Sequence, residues 1–240
     1  MAEGSKLVLE LARSRFSIRQ VYALPDWHSN HTLPSSIPVE PVKPFEMERI
    51  TGLSTPGPVL AVVDIPGMQP DPLCWEENLT LVLDDIRDPG NLGTMIRIAD
   101  WFGIRQMLCS PDCVDCYNSK VVQATMGSIA RVAITYLELP GFLASLDKQT
   151  PVYGMMLDGQ DIYLSEPVHN GLLVVGNEAH GISEEVATYV KHRLSIPFYP
   201  ADREDHAESL NAAVATGIAC SVLRRRRNEG RRKREEGRGK

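Results

Sequence analysis

Residues 79–224 alternate short apolar runs with stretches of helical character, and this alternation limits the fold more than any other feature of the chain. The apolar runs predict six strands, at residues 79–86, 106–110, 130–137, 152–158, 172–176 and 194–198. Helices are predicted around residues 93–102, 117–127, 141–147, 183–191 and 208–224. Near-continuous apolar strands separated by helices are typical of a parallel sheet covered on both faces. We therefore expect an α/β fold whose ligands bind beyond the carboxyl ends of the strands.

The first 65 residues have a weaker pattern. An amphipathic helix is predicted from Lys6, followed by a strand at residues 18–23, and an apolar run at residues 59–65 predicts a second strand. The chain between these strands is rich in proline and has little periodicity. Residues 66–78 are also proline-rich and have few apolar residues, which is typical of a linker. We expect a small N-terminal domain at 1–65, a linker at 66–78 and a larger domain at 79–224.

Charge is distributed unevenly along the chain. The formal net charge is −6, but the segment from Arg224 to Lys240 contains ten Lys or Arg and three Glu. This segment therefore carries +7, and the residues before it carry −13. Such a basic tail, at residues 225–240, either solvates the end of the last helix or binds the phosphates of a nucleic acid. The composition of the tail leaves both interpretations open.

Composition also bears on location and on metal binding. The chain has no run of eighteen apolar residues, and its N-terminus lacks the apolar core of a signal peptide, so we expect a soluble, cytoplasmic protein without a membrane span. Its five cysteines are an odd number and are expected to be reduced. Cys109, Cys113 and Cys116 have a spacing that invites zinc, but no second pair of ligands follows them. We expect no metal.

Two loops that follow predicted strands carry polar residues suited to a site. Residues 88–93, DPGNLG, lead into a helix that bears Arg97, and residues 176–183 place Asn177 and Glu178 between two glycines. A buried Glu178 carboxylate would need a cationic partner, for which Arg97 is the candidate. Taken alone, the first loop is more simply a capped helix with a surface arginine. Neither loop matches the glycine patterns that bind nucleotide triphosphates or dinucleotides.

Three segments together resemble the ordered motifs of a known family. DPGNLGTMIRIADWFGI, LLVVGNEAHGIS, and SIPF followed by ESLNAAVATGIA are similar to the motifs of the SpoU, or TrmH-like, family of RNA 2′-O-ribose methyltransferases in the SPOUT superfamily. The resemblance covers residues 79–224. It implies S-adenosylmethionine as the methyl donor, tRNA or rRNA as the substrate, and a deep trefoil knot in the C-terminal part of the sheet. It also implies a homodimer that completes the site across its interface.

The resemblance also implies roles for individual residues. Asn91 and Arg97 would lie at the ribose with support from Glu178, and Ser209 and Asn211 would be polar residues beside the reacting groups. The pocket for S-adenosylmethionine would be formed by Leu157, Gly176, Asn177, Ile196 and Leu210. Catalysis would consist mainly of alignment and the removal of one proton. Since deprotonation of a guanidinium is costly, we expect Arg97 to bind the flanking phosphate and polarise the hydroxyl rather than act as the base.

The chain also departs from the family pattern. Residues 199–208, YPADREDHAE, are an insertion in the third motif and would border the cofactor. The N-terminal domain resembles the family's RNA-binding domain, but it is expected to be truncated. The small-residue helix at 212–219 is expected to pass through the knot, pack at the dimer interface or pack in the core.

Two other functions compete with ribose methylation. A non-catalytic RNA-binding protein, such as a ribosome-assembly factor, could keep the fold, but it would have no need of the five polar site residues. A methyltransferase of the same superfamily that acts on a base would not be expected to have Asn91 and Arg97 together. Ribose methylation is therefore the leading prediction.

Overall fold

The computed structural model describes residues 1–199 and 209–225, which form two sheets surrounded by helices. The smaller sheet has four strands in the order β1-β4-β2-β3, with β2 and β3 parallel and the other pairs antiparallel. Its strands are β1 (Ala2–Glu3), β2 (Ile18–Ala23), β3 (Val39–Pro41) and β4 (Val59–Val63). The helices of this part are α1 (Ser5–Ala12), α2 (Pro25–Asn30) and α3 (Pro44–Ile50).

The larger sheet has six strands, and every pair of neighbours in it is parallel. Its order is β10-β8-β9-β5-β6-β7, with bounds β5 (Leu79–Leu83), β6 (Gln106–Cys109), β7 (Ala133–Tyr136), β8 (Val152–Asp161), β9 (Gly171–Val175) and β10 (His192–Ser195). The helices are α4 (Leu73–Glu76), α5 (Pro89–Trp101), α6 (Ser119–Ala124), α7 (Leu139–Ser145), α8 (Glu184–Ala187) and α9 (Ala212–Leu223). The predicted α/β fold with a parallel sheet is confirmed.

The two central strands of this sheet, β5 and β9, are buried throughout. Side chains alternate between the faces of a strand, so Leu81 and Val82 pack into different clusters. Leu81 faces the cluster that includes residues of α5, α6 and α9, whereas Val82 faces residues of α7 and α8. Burial on both faces explains why these strands have continuous apolar sequences rather than alternating ones.

Small residues allow the helices beside β5 to approach closely. A Cβ added to Gly93 in α5 would lie 2.4 Å from the Cβ of Ala124, so only glycine lets α5 and α6 pack at this distance. A Cβ at Gly217 would lie 3.6 Å from Cδ1 of Ile98, which places α9 directly against α5. The buried face of α9 is formed mainly by alanine, threonine and cysteine. The small-residue helix thus packs in the core, while its part in a knot or a dimer stays a prediction.

Two proline-rich segments contain more regular structure than their sequences predict. The segment between β2 and β4 was expected to be largely irregular, yet it forms α2, β3 and α3. Both helices begin with proline, whose fixed φ favours the first turn. In the predicted linker, α4 buries Trp75, whose ring meets Phe142 edge-on at 5.4 Å. Short elements of this kind depend on tertiary contacts and leave no periodic signal.

Two of the predicted features, the insertion and the basic tail, lie mostly outside the described residues. Residues 200–208 of the insertion and residues 226–240 of the tail lie outside the described residues. Within the described ranges, no helix has both the length and the apolar character needed to cross a membrane. The same residues include no cluster of His, Cys, Asp or Glu suited to a metal ion, and all five cysteines are free thiols.

Candidate functional site

A cavity of about 550 Å³ opens beyond the carboxyl ends of β9 and β10 and beside β8. Seven of the predicted site residues line it: Leu157, Gly176, Asn177, Glu178, Ile196, Ser209 and Leu210. Leu157 is 80% exposed and Leu210 is 47% exposed, so the cavity presents apolar side chains to its opening. Asn91, Arg97 and Asn211 do not line this cavity. The structure therefore brings the whole predicted cofactor set together with Glu178 and Ser209, while the other three predicted ribose residues lie outside the cavity lining.

The loop after β9 is held in a closed form by its own backbone. Asn177 and Gly181 exchange two backbone hydrogen bonds, of 3.0 Å and 2.8 Å. A Cβ added to Gly176 would lie 2.1 Å from the carbonyl carbon of Gly181, so the close approach of two backbone segments requires glycine at this position. The Asn177 side chain donates to the carbonyl oxygen of Asp85 at 2.8 Å, which ties the loop to the end of β5.

Three polar side chains connect the cavity to the starts of α5 and α9. The amide nitrogen of Asn91 donates to Glu178, and the amide oxygen of Asn91 accepts from Asn211 at 2.8 Å. The oxygen of Asn211 in turn accepts from the backbone N–H groups of Ala213 and Val214, at 3.0 Å and 3.2 Å. Because this oxygen caps α9, the Asn211 nitrogen must face Asn91, and the Asn91 nitrogen must face Glu178. The orientation of both amides is thus determined by the helix cap.

The turn before α5 places Asn91 but is not capped by it. Asp88 is the N-cap residue, and its carboxylate accepts from the backbone N–H of Asn91 at 2.7 Å. Pro89 follows at the first helical position, where its missing N–H costs nothing. The cap of this helix is therefore Asp88 and not Asn91. The side chain of Asn91 is thereby left available to the site.

Arg97 lies apart from Glu178, and the predicted ion pair between them is not formed. The side chain of Arg97 is exposed, and it makes no hydrogen bond or ion pair with any other residue in the described ranges. Helix geometry explains this arrangement, since six residues at about 100° each place Arg97 roughly 120° around α5 from Asn91. Glu178 has an amide partner instead of a cation.

A second set of polar residues, which the sequence analysis missed, supports the loop after β5. Asp84 accepts from the backbone N–H of Ser183 at 2.8 Å, which joins the end of β5 to the start of α8. Asp85 has a φ of 58°, and its backbone N–H donates to the hydroxyl of Ser110 at 2.9 Å. The next residue, Ile86, donates its backbone N–H to the sulfur of Cys113 at 3.2 Å. Paired aspartates directly after a buried strand, where Asp tolerates a left-handed turn, were the signal that could have identified this loop.

The carboxylates of Asp158 and Glu178 both line the cavity, but only one of them is paired with a cation among the described residues. Asp158 lies on the cavity lining, and the guanidinium of Arg193 contacts its carboxylate at 2.5 Å. This hydrogen bond holds the pKa of Asp158 below its usual range. Glu178 has no cationic partner among the described residues, since its hydrogen bond comes from the neutral amide of Asn91. The cavity thus has one carboxylate that no cation among the described residues neutralises.

Comparison with known proteins places the chain in a family. The profile of the SpoU rRNA Methylase family matches residues 78–221. The 23S rRNA (guanosine(2553)-2′-O)-methyltransferase RlmP of Bacillus subtilis is 29% identical over 231 residues, which span 93% of this chain and 88% of that protein. A TrmH-family structure from Porphyromonas gingivalis has a TM-score of 0.83 and 40% identity, covering 92% of this chain and 88% of that one.

A further solved structure is that of an rRNA methyltransferase from Sinorhizobium meliloti with bound S-adenosylmethionine. It has a TM-score of 0.78 and 28% identity, and the match covers 93% of this chain and 85% of that one. The family profile spans the parallel sheet from the residue before β5 to a point within α9. From this extent of agreement we conclude that the chain belongs to the SpoU rRNA methylase family.

Proposed function

We propose that this protein transfers a methyl group from S-adenosylmethionine to the 2′-hydroxyl of a ribose in rRNA or tRNA. The observation that carries the proposal is the hydrogen-bonded series Glu178–Asn91–Asn211, which links a cofactor-sized cavity to polar groups outside it. The Bacillus subtilis relative is named as a 2′-O-methyltransferase of 23S rRNA, and the Sinorhizobium meliloti structure contains S-adenosylmethionine. Both support the same reaction in this chain.

The cavity fits S-adenosylmethionine in size and in chemistry. Its volume of about 550 Å³ lies within the roughly 300–1,000 Å³ of small-molecule sites. Leu157, Ile196 and Leu210 would flank the adenosine, and Gly176 and Asn177 would contribute backbone groups. The carboxylate of Glu178, which has no cationic partner among the described residues, suits a ligand that carries positive charge. When bound, the cofactor supplies a methyl group that its sulfonium has already activated.

The remaining work for the chain is to place the ribose and to assist the loss of one proton. Each of Asn91 and Asn211 has one amide hydrogen left over from the series described above, and these can donate to ribose oxygens. Ser209, which is exposed at the cavity, offers a hydroxyl to the same region. The guanidinium of Arg97 binds the phosphate beside the target ribose and polarises the 2′-hydroxyl, and the proton leaves to phosphate or water.

The proposed function predicts both cofactor binding and a missing modification. Calorimetry should detect binding of S-adenosylmethionine by the purified chain, because the cavity and its carboxylate are formed by one protomer. In a strain without this gene, mass spectrometry of tRNA and rRNA nucleosides should show the loss of one 2′-O-methyl group at one position. Absence of binding at millimolar cofactor would favour a non-catalytic RNA-binding protein. Loss of a base methyl group instead would assign the enzyme to base methylation.

We further propose that the protein is a homodimer that uses the exposed stripe of α9. Val214 is 53% exposed, and Ile218, one turn later, is only half-buried. Exposed apolar residues on one face of a helix are typical of an interface. Sedimentation equilibrium should therefore give twice the mass of the chain, and Val214→Glu should shift the protein toward monomer. Leu73→Glu, which changes an exposed leucine on α4, is the matched control and should leave the mass unchanged.

We also propose that the chain is divided into an RNA-binding unit and a methyltransferase unit joined by a linker. Residues 1–65 would be the RNA-binding unit and residues 79–224 the methyltransferase unit, with 66–78 between them. Support comes from the separate four-stranded sheet and from the family profile, which starts at residue 78. The basic tail at 225–240 would add to RNA binding through its charge. We place the protein in the cytoplasm, where such RNA is available.

A further inference from the structure

A second cavity lies at the opposite edge of the parallel sheet from the proposed methyl-transfer site. It has a volume of about 350 Å³ and lies at the amino ends of β6 and β7, where α5 also ends. It is lined by Arg15, Asp100, Gly103, Ile104, Arg105, Ala130 and Arg131. Three arginines against one aspartate give the lining an excess of positive charge. This excess contrasts with the −13 carried by the chain before Arg224.

The three arginines are held in different ways. Arg15 donates to the carbonyl oxygens of Val132 at 2.8 Å and Ala130 at 3.5 Å, so its guanidinium is positioned by the backbone that precedes β7. Arg131 is paired with Asp100 at 2.8 Å and with Glu10 at 2.5 Å. These bonds position two guanidinium groups at the cavity without help from a ligand.

Arg105 is the arginine that the fold leaves available. Its side chain is exposed and makes no hydrogen bond or ion pair with any other residue of 1–199 or 209–225, although its backbone carbonyl accepts from Ala133 at 2.8 Å. An arginine carries five N–H donors in a planar group that matches the oxygens of a phosphate. A phosphate bound here would therefore meet the unused donors of Arg105 beside the backbone-anchored guanidinium of Arg15.

The end of α9 adds charge at the same edge. Arg224, the C-cap residue, donates to the carbonyl oxygen of Phe102 at 3.2 Å, and its guanidinium lies 3.7 Å from a Cβ built on Gly103 of the cavity lining. The basic segment that begins at Arg224 therefore starts beside the arginine cavity. Two independent features, the cavity lining and the start of the tail, place positive charge in one region.

We propose that the arginine cavity binds a backbone phosphate of the substrate RNA, away from the nucleotide that is methylated. The proposal rests on RNA being the substrate. The thirteen residues of α5 separate the two sites by about 20 Å, at 1.5 Å per residue, so the contact is made by RNA flanking the target nucleotide. A contact to phosphate supports affinity and orientation for any sequence and does not read the bases.

The test measures how salt affects RNA binding by the full chain. Anisotropy of a fluorescein-labelled RNA hairpin is recorded between about 50 and 200 mM salt for the wild type, Arg105→Gln and Arg105→Lys. Loss of one phosphate contact should reduce the slope of log K against log salt by about 0.7 to 0.9 in Arg105→Gln. Arg105→Lys keeps the charge and should retain most of the slope. Lys148→Gln removes an exposed charge on the loop before β8, outside the lining of the arginine cavity, and should behave as the wild type.

The other possible results would show that the arginine cavity does not bind RNA phosphate, or that RNA is not the substrate. An unchanged slope in Arg105→Gln, or an equal loss in Lys148→Gln, would overturn the proposal. If only truncation after Arg225 lowers the slope, the tail alone binds phosphate and the cavity does not. Affinity for S-adenosylmethionine should be unchanged in all variants. A wild type that binds the cofactor but no RNA would overturn the proposed RNA substrate itself.

Discussion

Replacement of Arg97 by lysine is expected to lower kcat by about 100-fold, the size of effect that a small misplacement of reacting groups produces. Lysine keeps the positive charge but loses the planar group that contacts two phosphate oxygens at once. The side chain of Arg97 is exposed and unpaired among the described residues, so its replacement removes no hydrogen bond or ion pair within the described ranges. The variant should therefore fold as the wild type and bind S-adenosylmethionine with the same affinity.

Single-turnover methylation of the RNA substrate would measure this loss, with RNA affinity determined separately. Lys148→Arg is the matched control, because Lys148 lies outside the proposed RNA-binding unit, and its exposed side chain makes no hydrogen bond or ion pair with another described residue. It should methylate at the wild-type rate. Normal turnover in Arg97→Lys with unchanged RNA affinity would contradict a bidentate role for Arg97. A lowered affinity for the cofactor would instead place Arg97 at the cavity.

The parts of the fold that could be predicted from the sequence are those determined locally. Continuous apolar runs such as Leu79–Leu83 identify buried strands because both of their faces are covered. The order β10-β8-β9-β5-β6-β7 could not be predicted, because it depends on contacts between distant segments that leave no periodic pattern. The same reason applies to α4, whose four residues are held mainly by the burial of Trp75.

For the site, too, the residues that form it could be predicted, whereas their hydrogen-bond partners could not. The resemblance to the family identified residues that line one cavity, such as Leu157, Ile196 and Leu210, although they are far apart in the chain. It did not identify the partner of Glu178, since the choice between an arginine and an amide depends on how α5 is rotated about its axis. The cap formed by Asn211 determines that pairing, and a cap is visible only when the helix start is known.

Replacement of Gly176 by alanine is expected to lower the free energy of unfolding by about 1–3 kcal/mol, the usual cost of overpacking a core. The added Cβ would lie 2.1 Å from the carbonyl carbon and 2.2 Å from the carbonyl oxygen of Gly181. These are backbone atoms, so the loop must move as a unit and strain its two hydrogen bonds between Asn177 and Gly181. Thermal or urea denaturation would measure the loss of stability.

The same displacement should weaken binding of S-adenosylmethionine, because Gly176, Asn177 and Glu178 all line the cavity. If restoring the binding shape of the cavity costs about 1.4 kcal/mol of this strain, the dissociation constant measured by calorimetry rises tenfold. Gly141→Ala is the matched control, since a Cβ there meets nothing within 4 Å and alanine favours the helix α7. It should preserve both stability and affinity. Wild-type stability and affinity in Gly176→Ala would show that the cavity does not require the close approach of Gly181 to Gly176. The hydrogen-bonded series from Glu178 to Asn211 would then have to be held by the α9 cap alone.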